Sequence, residues 1–334
     1  ARDHTRLTAS LRHTNLCPLG AGALTTTAFP LDRVMVAELL GFDAPMEVAY
    51  DAVSSHDDAL EAVGAMAVLM TFLSRLATDL IAWSTWEYGF IEPADRHSAV
   101  SSIMPQKKNP AALEHVRAAA GMVQGALAAA LGSTKNTPFA DVNDAVTAVN
   151  EPVLDAALRT TRVLVLAEEV FAGLSLRADR MAEAARLGFG SATELADVIV
   201  REAGLSFRMA HNVVAGVVSD ALERGISADA IRSADLDRSA EAHFGRALRI
   251  REEAVRQALD PAENIRTRTV QGGPAPGNMA AMIAARRAGL AADRDAVRAL
   301  AARVDRARAD CFGEARRRVS EMSSSRHPTD TGRP

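Results

Sequence analysis

The residues that could do chemistry gather in one stretch, Ser101-Ser102-Ile103-Met104-Pro105-Gln106-Lys107-Lys108-Asn109-Pro110. Asn109 is a good helix N-cap and Pro110 suits the first helical position, so the stretch is predicted to end on a helix N-terminus. Such an end offers unpaired N–H groups and the positive pole of the helix dipole, which together hold anions. The lysines point the same way. Of 38 basic residues only three are lysine, and two of these are Lys107 and Lys108. Where nearly every other cation is Arg, a paired Lys marks a place for a compact ammonium. The chemistry on offer is stabilisation of negative charge on a small ligand. Taken singly, the residues are blander. Ser101, Ser102 and Asn109 read as loop and cap residues, and the lysines as a solvated pair. Glu114 in a first helical turn is favoured by the dipole alone.

The elements that must position this stretch are helical. Apolar residues at three- and four-residue spacing run from Leu60 to about Phe90, predicting one helix of about 45 Å. A second helix, rich in Ala and Gly, is predicted from Pro110 to Leu131 and stops at Gly132. A third begins near Asn150-Glu151-Pro152 and continues to about Ala172. Upstream, residues 1–15 look like the end of a helix, and Asp32-Arg33 opens a short helix closed by Gly41. Ser55 with Asp58 gives a capping signal before the first long helix. Beyond Leu174 the helices shorten. Ser191 and Glu194 form a capping-box pattern, Phe207 to Arg224 makes the next helix, and a last one runs from Asn278 to about Val319. No strand pattern stands out. The expected fold is all-α, with a long-helix bundle core domain over residues 1–174, incomplete at its N-terminal side. A small helical C-terminal domain over 175–320 and a disordered tail over 321–334 follow.

Bulk properties narrow the function. Acidic and basic residues are interspersed and the net charge is −4, which argues against a nucleic-acid footprint. Aromatics are only 4%, so the cores must be built from Ala, Leu, Val and Met. Cys17 and Cys311 lie far apart with no metal-ligand spacing, which favours a reducing, cytoplasmic setting and no metal. The apolar run from Ala62 to Trp83 is broken by Ser74, Arg75 and Asp79 and reads as a bundle helix. No signal-peptide pattern is read. The chain opens on Ala inside a helix-like pattern, so it is expected to have lost, or never carried, its natural start.

The central decapeptide resembles the signature loop of the fumarase/aspartase superfamily, and its Gln-Lys-Lys-Asn-Pro ending looks most like the argininosuccinate lyase branch. Other segments match in order. Pro18-Leu19-Gly20-Ala21-Gly22-Ala23 is similar to that branch's Pro-Leu-Gly-Ser-Gly-Ala turn. Asp51-Ala52-Val53-Ser54-Ser55-His56-Asp57 is similar to its Asp-Ala-(Val/Thr)-Ser-x-Arg-Asp segment, with His56 for Arg. Phe207-Arg208-Met209-Ala210-His211 and Gln271 to Pro276 resemble its small C-terminal domain. His211 and His115 are read as structural.

The resemblance implies a β-elimination that releases fumarate from a succinyl compound, without cofactor or metal. It implies Ser101 as the base and Glu114 as the residue that orients a catalytic histidine. Lys107, Asn109, Ser102 and Asp144 are implied to bind a dicarboxylate-containing substrate. A homotetramer with sites shared between chains is implied too. There are departures. The family has Gly where Val100 stands, and Val removes backbone freedom. The family's Thr-x-x-His acid segment has no counterpart, so little activity is expected of this chain alone. Asp141, Val146 and Val149 occupy positions where argininosuccinate lyases hold substrate with Tyr, Gln and Lys. The expected substrate is thus an N-substituted succinyl compound other than argininosuccinate. The alternative is a non-catalytic assembly protein or a partner-dependent subunit of the same fold.

Overall fold

The computed structural model describes residues 1–104 and 107–325. Their helices are α1 (Arg2–Thr14), α2 (Arg33–Leu40), α3 (Ala49–Ser54), α4 (Asp57–Trp83), α5 (Ala111–Thr134), α6 (Asn143–Ala172) and α7 (Ala178–Leu187). Then come α8 (Ala192–Ala203), α9 (Phe207–Glu223), α10 (Ser233–Phe244), α11 (Glu252–Leu259), α12 (Pro261–Thr267) and α13 (Pro276–Ser325). The strands are two-residue pairings that the sequence pattern did not signal. Parallel β1 (Leu16–Cys17) joins β2 (Ala44–Pro45). Antiparallel β3 (Ile91–Glu92) joins β6 (Ser175–Leu176), and antiparallel β4 (Ala99–Val100) joins β5 (Lys108–Asn109). The fold is all-α, as expected.

The chain forms two compact units. One holds residues 1–82, 93–174 and 290–334, and the other holds 83–92 and 175–289. The sequence reading kept 1–174 and 175–320 whole and did not have the crossings at 83–92 and at 290.

The first unit is built on α4, α5 and α6. Val63, Ala67, Met70, Leu73, Ala77 and Leu80 are buried along α4, and Leu113, Val116, Ala120, Val123, Ala126 and Ala130 along α5. Val149, Ala156, Thr160, Val163, Ala167 and Val170 continue the seam on α6. Alternating three- and four-residue steps keep each apolar stripe on one face. Helices α5 and α6 run antiparallel. Ser133 Oγ lies 3.4 Å from the Ala148 carbonyl, and Arg159 Nη1 lies 3.0 Å from Met122 Sδ, so position rises along one helix as it falls along the other. Helix α4 is long and apolar enough to cross a membrane by length and composition. Thr71 on it meets α5, where Gln124 Nε2 donates to Thr71 Oγ1 at 2.8 Å.

Several boundaries differ from expectation for physical reasons. Helix α4 stops at Trp83 and not near Phe90, because left-handed Gly89 turns the chain and the Phe90 N–H returns to the Trp83 carbonyl at 2.9 Å. Gly132 does not stop α5, since the Ser133 and Thr134 hydroxyls donate to the Ala129 and Ala130 carbonyls in the last turn. Pro152 lies inside α6, which begins at Asn143. A proline cannot serve the carbonyl four residues back. That carbonyl belongs to Ala148, the group facing Ser133 Oγ. That hydroxyl gives its one hydrogen to the Ala129 carbonyl at 2.8 Å, so the Ala148 carbonyl has only a long polar contact where the proline makes no bond.

Near the start of α4, Ser55 Oγ donates to Asp57 instead of capping with Asp58, and this bond holds the Asp57 carboxyl below its ordinary range. Gly41, at φ 80°, ends α2 where a Cβ would stand 2.7 Å from Ala307 Cβ of α13. Arg303 of that helix pairs with Asp43 at 2.5 Å.

The second unit has its own core, centred on Leu195, Ile199, Val213, Val217, Leu236 and Val255 from α8 to α11. Ser191 makes no capping bond to α8. Glu194 turns inward and pairs with Arg201 at 2.7 Å, so the capping box is absent. Helix α13 starts at Pro276, earlier than expected, and reaches Ser325, into the segment 321–334 expected to be disordered. Residues 326–334 of that tail lie outside the described residues.

Candidate active site

The decapeptide is rooted in a hairpin. Ala99 pairs with Asn109 and Val100 with Lys108, so residues 101–107 are bridged at their root. Val100 is extended and 82% exposed, and its φ is not in the left-handed region. A β-branched residue suits such a strand position. The loop therefore makes no demand for glycine here.

Inside the hairpin, Ser101 Oγ accepts the N–H groups of Ile103 at 3.2 Å and Met104 at 3.0 Å. The Ser101 N–H faces the Lys107 carbonyl at 3.4 Å, and the Lys107 N–H donates to the Met104 carbonyl at 3.0 Å. The serine oxygen thus sits on two backbone dipoles whose positive ends point at it. Such donors favour a negative oxygen over a neutral one. Ser102 and Lys107 are exposed and Asn109 is half-buried. Pro105 and Gln106 of the signature lie outside the described residues.

The helix start is shifted by one residue. Asn109 lies in the strand pairing with Ala99, one residue before the cap position, because α5 begins only at Ala111. Pro110 takes the cap position with ψ 58°, and its carbonyl accepts the N–H groups of Leu113 and Glu114 at 2.9 and 3.2 Å. Among the described residues no side chain caps α5. Its first N–H groups stay available beside the hairpin, as an anion-binding helix end requires. Glu114 is exposed in that first turn.

Asp144 does not join them. It lies in the first turn of α6, where its carboxylate accepts the Ala145 N–H at 2.9 Å. Because α5 and α6 are antiparallel, Asp144 lies beside the far end of α5. The rise per residue puts it about 35–40 Å from the hairpin in the same chain. Val149 is buried in the seam at 2% exposure and reaches no ligand, while Asp141 and Val146 are exposed. A single chain brings together Ser101, Ser102, Lys107, Asn109 and Glu114, and leaves Asp144 apart.

Sequence reasoning missed the segment that seats the hairpin. Lys108 Nζ lies 2.5 Å from Asp95 Oδ1, and Arg96 lies 3.7 Å from Glu169 on α6. His97 is buried, with its Nδ1 lacking a partner among the described residues. Gly173 closes α6 against this segment: a Cβ there would stand 3.2–3.3 Å from Ala94 Cβ, Arg96 Nη2 and His97 Cε1. No helical spacing links residues 95 and 108. Only the hairpin register does.

Residues 1–125 match the lyase family, and residues 189–266 match the argininosuccinate lyase C-terminal family. The chain is 38% identical to argininosuccinate lyase 1 of Shouchella clausii, over 89% of this chain and 59% of that protein. It is 41% identical to the argininosuccinate lyase of Methanothermobacter thermautotrophicus, over 82% of this chain and 58% of that protein. A solved EDDS lyase variant with bound fumarate superposes with TM-score 0.88 and 32% identity, over 95% of this chain and 63% of that one. A class II fumarase from Schistosoma mansoni, at TM-score 0.60 and 17% identity over 77% of this chain and 55% of that one, shares the fold. The two family matches and these relatives support membership of the fumarase/aspartase superfamily. Within it the chain is argininosuccinate lyase-like. It spans about three-fifths of the length of the curated relatives it matches.

Proposed function

We propose that this chain belongs to a lyase that releases fumarate by β-elimination from an N-substituted succinyl compound other than argininosuccinate. The observation that carries the reading is the hairpin, with Ser101 Oγ on two N–H dipoles, Lys107 in the same loop and the α5 N-terminus beside it. The proton to be removed lies next to a carboxylate, so its loss yields an aci-carboxylate with extra negative charge. Preorganised donors and cations lower the cost of that charge. Ser101 as alkoxide takes the proton, the carbon–nitrogen bond breaks, and the C=C bond of fumarate forms. The nitrogen then needs a proton from a general acid. The likeness to an EDDS lyase with bound fumarate supports the product. Val149, sealed in the helix seam, and the apolar Val146 favour a substrate other than argininosuccinate.

We further propose that the sites are completed between chains of a homotetramer, because Asp144 is too far from Ser101 to act with it in one chain. Exposed apolar side chains support assembly. Phe72 on α4 and Leu154, Leu158 and Val165 on α6 are uncovered, and Ile283, Leu290, Val297 and Val304 recur every seven residues on α13. Such stripes suit helix–helix contact. Light scattering at micromolar concentration should give a tetramer; a monomer would count heavily against shared sites. The two free thiols, Cys17 and Cys311, fit a cytoplasmic setting.

These 334 residues assayed alone should release little fumarate from succinyl-amines. Among the described residues the Ser101 hydroxyl oxygen meets only backbone N–H groups, and no acid stands beside it. Lack of a general acid costs about 10²–10⁴-fold. Brisk fumarate release by this chain would overturn that expectation and send the search to His13, His56 and His115. The second reading, a partner-dependent subunit, draws on the same separation of Asp144. Activity that returns only on mixing with a longer relative would favour it.

A further inference from the structure

We propose that Asp95 is a positioning residue that clamps Lys108, fixing the hairpin that carries Ser101 and Lys107 and leaving Lys107 as the cation of the pair for a ligand. The bearing on turnover rests on the lyase reading above; the clamp itself does not.

The hairpin needs such a clamp. Its ladder is only two residues long, and two-stranded hairpins are marginal in water. Its cross-loop bond, Ser101 N–H to the Lys107 carbonyl, is long at 3.4 Å. Ile103 is exposed, so no apolar packing of that side chain seats the loop. The tie comes from the root. Lys108 reaches Asp95 at 2.5 Å, and Asp95 opens a three-residue turn, Asp95–His97, that is itself fastened. The Ser98 hydroxyl donates to the Ala94 carbonyl at 3.2 Å, Arg96 meets Glu169, and the buried His97 ring packs at the Gly173 end of α6. The path runs from α6 through residues 94–98 to Lys108 and so to the loop. With Lys108 committed to Asp95, the neighbouring ammonium of Lys107 has no carboxylate partner among the described residues. The two adjacent lysines thereby take different duties.

Hydrogen exchange of the amides of residues 99–101 and 107–109, in this chain as it stands, tests the clamp. Exposed ion pairs are modest, so Asp95→Asn and Lys108→Met should each speed exchange about two- to five-fold. Lys108→Arg should keep the wild-type rate. The reversed pair, Asp95→Lys with Lys108→Asp, should restore protection lost in the single variants. Unchanged exchange in both single variants, or a reversed pair that exchanges as fast as they do, overturns the proposal. In a fumarate-releasing form, Asp95→Asn should lower kcat and the reversed pair should recover it. If no form releases fumarate, the lyase reading fails while the exchange result still decides the clamp.

Discussion

Replacing Ser101 by Ala, in a form of the protein that releases fumarate, is expected to lower turnover about 10²–10⁴-fold with little change in substrate binding. The asymmetry follows from where the hydroxyl acts. A serine oxygen is a poor base at neutral pH unless its alkoxide is stabilised. Here Ser101 Oγ already accepts the N–H groups of Ile103 and Met104, which aim positive charge at it before any substrate arrives. Alanine leaves those two donors facing space but removes no group that would grip a carboxylate. The loss should therefore fall on kcat. Should the Ala variant turn over like wild type, the hairpin is a structural loop in this chain and the lyase reading falls with it.

Lys107→Met should behave differently, raising KM and lowering kcat about 10²–10³-fold together. Its ammonium would be felt by the bound carboxylate and more strongly by the aci-carboxylate, which carries a second negative charge. Methionine keeps the length of the side chain and deletes only the charge. Lys108→Met is the contrast, since that ammonium is engaged by Asp95. Steady-state kinetics on the two variants separates them. Equal losses at both positions would mean that the lysines act as one diffuse positive patch and not as a ligand and a clamp.

What could be read from the sequence was what local spacing encodes. The stripes on α4 and α5 announce themselves at three- and four-residue steps, and Asp32 with Gly41 marks both ends of α2. Ser101, Ser102, Lys107 and Asn109 sit close in sequence, so any tight loop brings them together. Terms set by distant residues were not legible. Pro152 looks like a helix start, yet α6 begins at Asn143 and runs through it. Asn109 looks like a cap, but α5 starts one residue later than the spacing suggests, so Pro110 takes that position. Asp144 is implied as a substrate ligand by resemblance alone, and its distance from the loop within one chain follows only from the antiparallel course of α5 and α6.

The division of the chain also sets an order of events during synthesis. The second unit's core residues, Ala192 to Leu259, form one continuous stretch, so that core can close soon after they leave the ribosome. The first unit cannot finish then. Asp43 must wait for Arg303, and Gly41 for Ala307, roughly 260 residues of translation later, at about 5–20 residues per second. Through that interval α2 lacks its cover, and the nascent bundle exposes a docking site meant for α13. Premature release of the chain before α13 would leave the closed core of residues 192–259 attached to an unfinished first unit.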